Sequence, residues 1–116
     1  IKYPWFLSIG ANSWIGEKVW IDNLDFVHIA NDVCISQGAF LLCGNHDYSK
    51  KTFDLITNRI IIEKGAWICA KAVVSPGVTC KEGSILSLGS VATSNLEKNS
   101  IYKGNPAIFI KERGLK

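Results

Sequence analysis

Aliphatic residues recur every six positions along most of the chain, and this period constrains the fold more than any other feature of the sequence. One unbroken run comprises Ile62, Ile68, Val74, Cys80, Leu86 and Ala92. Two shorter runs precede it, one with Ile9, Ile15 and Ile21, the other with Ile29, Ile35 and Leu41. Four positions after most of these residues stands a small or β-branched residue: Ser13, Val19, Val33, Ala39, Ala66, Ala72, Val78, Ser84 and Ser90.

A six-residue period is incompatible with an amphipathic α-helix. At about 3.6 residues per turn, a step of six rotates the side chain by roughly 240°, so the aliphatic residues would form no stripe. Short extended pieces that turn after every hexad place them all inside a triangular prism, whose coils stack about 4.8 Å apart. Hexapeptide repeats are a signature of the β-helix. We therefore predict one all-β domain over residues 1–116, a parallel β-helix ending in a short C-terminal tail.

Glycine and small residues fit this arrangement. The small residue of each hexad suits the crowded corner of the prism. The glycines expected to take positive φ angles at the turns are Gly10, Gly16, Gly65, Gly77, Gly83 and Gly89.

Composition narrows the class of protein. The net charge of +3 is mild and not clustered, which argues against a nucleic-acid partner. No apolar run approaches the roughly 18 residues of a membrane span, and no secretory signal is visible. The four cysteines form no C-x-x-C pair, so we expect reduced thiols and a cytoplasmic protein without a metal. The first residue is Ile1 and not Met, which is consistent with an absent N-terminal segment.

The hexad period breaks at two places. Ile21 and Ile29 are eight residues apart, so two extra residues bulge out near Asp22, Asn23 and Asp25. After Leu41 the period stops until about Ile56, which predicts an extruded loop over residues 43–55. Because both breaks follow the third hexad of a coil, they should share one edge of the prism. That edge would then gather the polar residues Asp22, Asn23, Asp25, Asn45, His46 and Asp47.

His46 is the candidate for acid–base chemistry on this edge. An imidazole can take a proton from an alcohol or an amine at neutral pH. A loop histidine without a role is the alternative. His28, the other histidine, precedes the inward Ile29 and is expected to point outward into solvent.

The motifs resemble those of the hexapeptide-repeat acyltransferases. The order of the loop histidine, Trp67, Pro76-Gly77-Val78-Thr79 and Gly104-Asn105-Pro106-Ala107 is similar to that of the galactoside, maltose and xenobiotic acetyltransferase group. A narrower resemblance is to the acetyltransferases of colanic-acid and other exopolysaccharide biosynthesis. The motifs that carry it are Tyr3-Pro4-Trp5, Val19-Trp20-Ile21-Asp22-Asn23-Leu24-Asp25, Cys34-Ile35-Ser36-Gln37-Gly38-Ala39 and Gly44-Asn45-His46-Asp47.

This resemblance implies a left-handed β-helix, a homotrimer and an enzyme. The enzyme would transfer acetyl from acetyl-CoA to a hydroxyl of a sugar or polysaccharide precursor, with His46 as general base. The hydroxyl would attack the thioester directly, so no acyl-enzyme is needed. Each site would lie between two subunits, one of which supplies His46.

The resemblance also assigns residues to the CoA wall. Trp67 corresponds to a tryptophan near the thioester, although packing at a subunit interface is an alternative role. Ala70 and Leu88 correspond to backbone contacts with the pantetheine arm. Near the adenine nucleotide stand Thr93, Ser94, Asn105 and Pro106. Ser94 and Ile108 replace basic residues common in the family, which leaves Lys111 and Arg113 as candidates for the 3′-phosphate, or as a solvated tail.

Two roles are open for the polar residues on the acceptor side of the site. Asp22, Asn23, Asp25, Asn45 and Asp47 could bind sugar hydroxyls or cap turns, where Asp and Asn are favoured. Three other functions are also open: an acetyltransferase acting on an amino sugar or other amine, a non-catalytic scaffold subunit, and a γ-type carbonic anhydrase. The last fits poorly because it needs zinc-binding histidines, and the chain has two histidines.

Overall fold

The computed structural model describes residues 1–115. It consists mainly of short parallel strands that follow one another as the hexads predict. The molecule is elongated, measuring 51 × 29 × 21 Å along its principal axes. Its strands are β1 (Leu7–Ile9), β2 (Trp14–Ile15), β3 (Trp20–Asp22), β4 (Val27–Ile29), β5 (Cys34–Ile35), β6 (Phe40–Leu42), β7 (Gly44–His46), β8 (Leu55–Thr57), β9 (Ile60–Ile62), β10 (Trp67–Ile68), β11 (Val73–Val74), β12 (Thr79–Cys80), β13 (Ile85–Leu86), β14 (Val91–Ala92), β15 (Ser100–Gly104) and β16 (Ala107–Glu112).

Three sheets form the faces of the prism, and each coil adds one strand to each sheet. Sheet A contains β1, β4, β9 and β12; sheet B contains β2, β5, β10, β13, β15 and β16; sheet C contains β3, β6, β11 and β14. Within these sheets the coils pair in parallel register, so that Ile21 lies beside Leu41 and Ile29 beside Ile62. The predicted stacking of equivalent hexads is therefore confirmed.

The interior is the column of hexad residues. All six members of the unbroken run, from Ile62 to Ala92, are fully buried. Burying each Ile, Val or Leu side chain of this run stabilises the fold by about 1.5–3 kcal/mol. Ile9 and Ile15 belong to the first coil of the structure and are more exposed, because only one other described coil packs against them.

The corners need glycine for two different reasons. Gly65, Gly77, Gly83 and Gly89 have positive φ, as predicted. The prediction was wrong for Gly10 and Gly16, which do not have positive φ. Both instead lie against the next coil: a Cβ on Gly10 would be 2.3 Å from Asn31 Oδ1, and one on Gly16 would be 2.7 Å from the Gln37 nitrogen.

A β-hairpin closes the C-terminal end, where the sequence predicted only a tail. Strands β15 and β16 pair antiparallel at the edge of sheet B. Beyond them, the Arg113 Nη1 donates hydrogen bonds to the carbonyl oxygens of Gly65 (3.0 Å) and Gly83 (3.2 Å). Arg113 thus fastens the end of the chain to two successive coils.

The extruded loop is itself a hairpin. Strands β7 and β8 pair antiparallel, with Asn45 opposite Ile56. The structure therefore places Leu55–Thr57 in the hairpin, and the next coil begins at Ile60, whose nitrogen donates to the Phe26 carbonyl (3.0 Å). Within residues 1–115 no helix is long and apolar enough to cross a membrane.

Candidate active site

The two breaks in the hexad period lie against each other on the edge between sheets C and A. The Cys43 nitrogen donates to the Asp22 carbonyl (3.1 Å), and the Thr57 hydroxyl donates to Asp25 Oδ2 (3.1 Å). The bulge near Asp22 therefore supports the foot of the hairpin that carries His46.

His46 is exposed on strand β7, and Phe53 fixes its imidazole. The Nδ1 atom lies 2.9 Å from the Phe53 carbonyl oxygen. The Phe53 ring stacks on the imidazole with centroids 4.3 Å apart and planes inclined by 13°. Because a carbonyl oxygen only accepts, the neutral ring must carry its proton on Nδ1. The Nε2 lone pair is then available to take a proton.

Asn45 and Asp47 make local contacts that shape the hairpin. Asn45 Oδ1 accepts from the His46 nitrogen (2.8 Å), and Asp47 Oδ1 accepts from the Ser49 nitrogen (3.1 Å). The Asp47 nitrogen in turn donates to the Asp54 carbonyl (2.8 Å). These contacts correspond to the turn-capping role considered for them from the sequence.

Asn23 is placed differently from its two carboxylate neighbours. Its side chain is fully buried, whereas Asp22 and Asp25 are half-buried. Asn23 Oδ1 accepts from the nitrogens of Lys2 (3.0 Å) and Tyr3 (2.8 Å), and Nδ2 donates to the Tyr3 carbonyl. All these partners are backbone groups, so Asn23 holds the start of the chain against the first coil.

We expect the Asn23→Ala change to reduce stability without altering acceptor binding. It removes the side-chain partner of the part-buried Tyr3 nitrogen and carbonyl, and such hydrogen bonds contribute about 0.5–1.5 kcal/mol each. The melting temperature should therefore fall, while KM for the acceptor stays unchanged. Asp22→Ala changes a neighbouring residue on the same bulge. Its KM for the acceptor is measured beside that of Asn23→Ala as the matched comparison. A raised acceptor KM in folded Asn23→Ala protein would contradict the structural role.

The cysteines are all unpaired. Burial raises the pKa of Cys43 and of Cys69 to about 11, and that of Cys80 to about 12. The Asp25 and Asp22 carboxylates add to the effect at Cys43. These three thiols stay protonated at neutral pH, which makes them weak nucleophiles.

Several residues assigned to the CoA wall lie together on sheet B and its corner with sheet C. Trp67 is half-exposed, and its Nε1 donates to the Ser36 hydroxyl (2.9 Å). Leu88 is 70% exposed at the corner, where the Gly89 nitrogen donates to the Ala70 carbonyl (3.0 Å). Nothing in the sequence pointed to Ser36 except its place in a motif.

The turn between β15 and β16 joins the same corner. The Gly104 nitrogen donates to the Ser90 hydroxyl (3.0 Å), which brings Asn105 and Pro106 next to the coil that carries Leu88. This open strip, comprising Trp67, Ala70, Leu88, Asn105 and Pro106, is called the sheet B wall below.

Four other predicted CoA residues lie outside this strip. Thr93 and Ser94 are exposed at the corner that follows sheet C. Arg113 lies over the corner between sheets A and B, bound to the carbonyls of Gly65 and Gly83. Lys111 is exposed on β16, opposite Ile101.

The hairpin and the sheet B wall lie on opposite sides of one chain. The hairpin leaves the edge where sheets C and A meet, because it connects β6 of sheet C to β9 of sheet A. In a triangular prism that edge is opposite the third face, sheet B. One chain therefore does not bring His46 and Trp67 into a common site.

Metal-binding donors are not grouped in the part of the chain that the structure describes. Among residues 1–115, no three His, Cys, Asp or Glu side chains are close enough together to hold a metal ion. A zinc-dependent function would therefore need ligands from outside this range or from another copy of the chain.

A curated relative matches nearly the whole chain, although no protein-family model does. It is named as colanic acid biosynthesis acetyltransferase WcaF of Escherichia coli. The two are 34% identical over 113 residues, which cover 97% of this chain and 62% of the relative. The chain thus spans about three fifths of the length of this relative.

Two solved structures share the fold. A hexapeptide-repeat-containing acetyltransferase from Vibrio cholerae superposes with a TM-score of 0.87 at 24% identity, covering 92% of this chain and 62% of that one. AntD, an N-acyltransferase from Bacillus cereus, has a TM-score of 0.86 at 21% identity, covering 94% of this chain and 64% of that one.

These similarities confirm the predicted fold and resemblance. The chain has the left-handed parallel β-helix of the hexapeptide-repeat acetyltransferases, and a protein named as a colanic acid biosynthesis acetyltransferase is among its relatives.

Proposed function

We propose that the chain forms an acetyl-CoA-dependent O-acetyltransferase that acts on a hydroxyl of a sugar or polysaccharide precursor. The observation that carries this proposal is the state of His46, whose Nδ1 is held by the Phe53 carbonyl while Nε2 stays open on an exposed hairpin. The similarity to WcaF, which is named for colanic acid biosynthesis, supports the acceptor class.

His46 acts as the general base. Nε2 takes the proton of the acceptor hydroxyl as its oxygen bonds to the acetyl carbon. The imidazolium then returns that proton to the sulfur as the carbon–sulfur bond breaks. Acetyl-CoA supplies the acetyl group as a thioester, and no protein nucleophile takes part, which agrees with the protonated thiols of Cys43, Cys69 and Cys80.

The sheet B wall suits the CoA chain. It offers an exposed Leu88 side chain and the half-exposed Trp67 ring, and ligand sites are commonly lined by apolar and aromatic groups with a few polar ones. Lys111 is the exposed cation for the 3′-phosphate. We assign this role to Lys111 and not to Arg113, because Arg113 Nη1 already donates to the Gly65 and Gly83 carbonyls. In its own structures, the Vibrio cholerae acetyltransferase has been complexed with acetyl-CoA.

The active assembly is a homotrimer with each site between two subunits. This proposal is supported by the separation of the hairpin and the sheet B wall, which a second copy of the chain would bridge. Large aromatic side chains exposed on the outer surfaces of sheets B and C also favour an interface, since exposed apolar patches mark contact surfaces. They include Trp14 on sheet B, and Trp20 and Phe40 on sheet C.

An acceptor panel tests the reaction and separates oxygen from nitrogen acetylation. We expect release of free CoA thiol to depend on an added sugar or oligosaccharide, and the product to lose its acetyl group in hydroxylamine, as esters do. A product that resists hydroxylamine would instead indicate an amide. That alternative has support from AntD, whose structure contains dTDP-4-amino-4,6-dideoxyglucose and coenzyme A.

The panel needs a control for spontaneous hydrolysis. Reactions without acceptor, and reactions with amino sugars blocked at nitrogen, provide it. No acceptor-dependent thiol release from any sugar, oligosaccharide or amino sugar would favour the scaffold function.

A further inference from the structure

Phe53 occupies a position that is unfavourable for phenylalanine. Its φ angle of 52° lies in the left-handed region, which bulky residues seldom adopt and which Gly, Asn and Asp tolerate better. Its ring is 54% exposed on the hairpin, so core burial does not compensate for the strain. Backbone strain of this kind persists only where surrounding contacts hold it, and it clusters at functional sites.

Both features of Phe53, its left-handed backbone and its exposed ring, are involved in contacts with the His46 imidazole. The left-handed backbone directs the Phe53 carbonyl to His46 Nδ1, at 2.9 Å. The exposed ring lies nearly parallel to the imidazole, with centroids 4.3 Å apart. A Phe53 residue in an extended conformation would turn its carbonyl to a different direction and break the first contact.

We propose that Phe53 is a positioning residue for His46 through two separable devices. Its backbone selects the tautomer with the proton on Nδ1, and its ring covers one face of the imidazole and fixes its rotation. The acceptor hydroxyl then meets Nε2 in one orientation. The proposal deepens the function proposed above and rests on it for the catalytic consequence, but the tautomer and ring contacts can be measured without any turnover.

Three substitutions separate the two devices. Phe53→Tyr keeps the ring. Phe53→Asn removes the ring but favours the left-handed backbone. Phe53→Val removes the ring and disfavours that backbone, because Val is β-branched. Tyr48→Val is the matched control, since it removes an aromatic ring that is 90% exposed from the same hairpin.

The first measurement is the nitrogen-15 NMR spectrum of the imidazoles, recorded without acetyl donor or acceptor. His28→Gln assigns the two histidine signals. We expect wild type, Tyr48→Val, Phe53→Tyr and Phe53→Asn to show His46 protonated on Nδ1 when neutral. Phe53→Val should show a mixture with the other tautomer, because its carbonyl no longer holds Nδ1.

The second measurement is kcat for acetyl transfer. Phe53→Tyr and Tyr48→Val should match wild type, while Phe53→Asn should be slower because the imidazole rotates more freely. Phe53→Val should be slowest, by about 10²-fold, the scale of loss for misplaced reacting groups. Phe53→Tyr should therefore keep the activity that Phe53→Val loses.

The outcomes distinguish this proposal from the function itself. A wild-type tautomer in Phe53→Val would overturn the backbone role, and a wild-type kcat in Phe53→Asn would overturn the ring role. If instead the wild type released no thiol with any acceptor, the proposed function would fail, and if His46→Ala were fully active, the general-base mechanism would fail. The NMR result for Phe53 would stand in either case.

Discussion

Replacing His46 with alanine is expected to lower kcat for acetyl transfer by about 10²–10⁴-fold, the usual contribution of a positioned general base. The side chain is exposed, and its ring contacts the Phe53 carbonyl and ring on the same hairpin. Its removal should therefore spare the β-helix. The effect should appear in kcat more than in the KM of either substrate, because the proton moves during the reaction.

Three measurements on the same protein make this result specific. Thiol release gives kcat, calorimetry gives the affinity for CoA, and light scattering gives the mass of the assembly. His28→Ala is the matched control, because His28 is the other histidine of the chain and is exposed on β4. Turnover close to wild type in His46→Ala, with His28→Ala equally active, would refute the general-base mechanism.

The fold could be predicted from sequence because one physical requirement repeats. Every hexad must bury one side chain, so the period reports the interior directly, and Ile62 through Ala92 are all fully buried. The meeting of the two breaks follows from the same count, since Ile21 and Leu41 are equivalent positions in neighbouring coils. Spacing in the sequence therefore predicts where a residue lies within its coil.

Contacts that depend on side-chain direction or on distant segments could not be predicted in this way. Asn23 is a polar residue in a bulge, and only the structure shows that it faces inward toward Lys2 and Tyr3. Arg113 follows the repeats, and its attachment to Gly65 and Gly83 depends on how the C-terminal hairpin folds back. The left-handed Phe53 backbone carries no signature either, because sequence rules favour Gly or Asn there.

The separation of His46 from Trp67 makes the sharing of sites testable by mixing subunits. Each proposed site takes its hairpin from one chain and its sheet B wall from the next. His46→Ala damages only the first contribution. Trp67→Ala damages only the second, since it removes the half-exposed ring whose Nε1 is held by the Ser36 hydroxyl. Assemblies of either variant alone should therefore have little activity.

We expect coexpression of the two variants to restore activity. In a closed ring of three that contains both variants, one of the three sites combines an intact hairpin with an intact wall. The measurement is thiol release by assemblies purified through different affinity tags on the two variants, compared with wild type.

Coexpressing His46→Ala with a chain that carries both changes is the control, and it should stay inactive because no hairpin retains His46. Failure of the first mixture to exceed this control, in assemblies shown to contain both chains, would mean that each chain completes its own site. The hairpin would then have to reach sheet B of its own prism, against the topology that places it on the opposite edge.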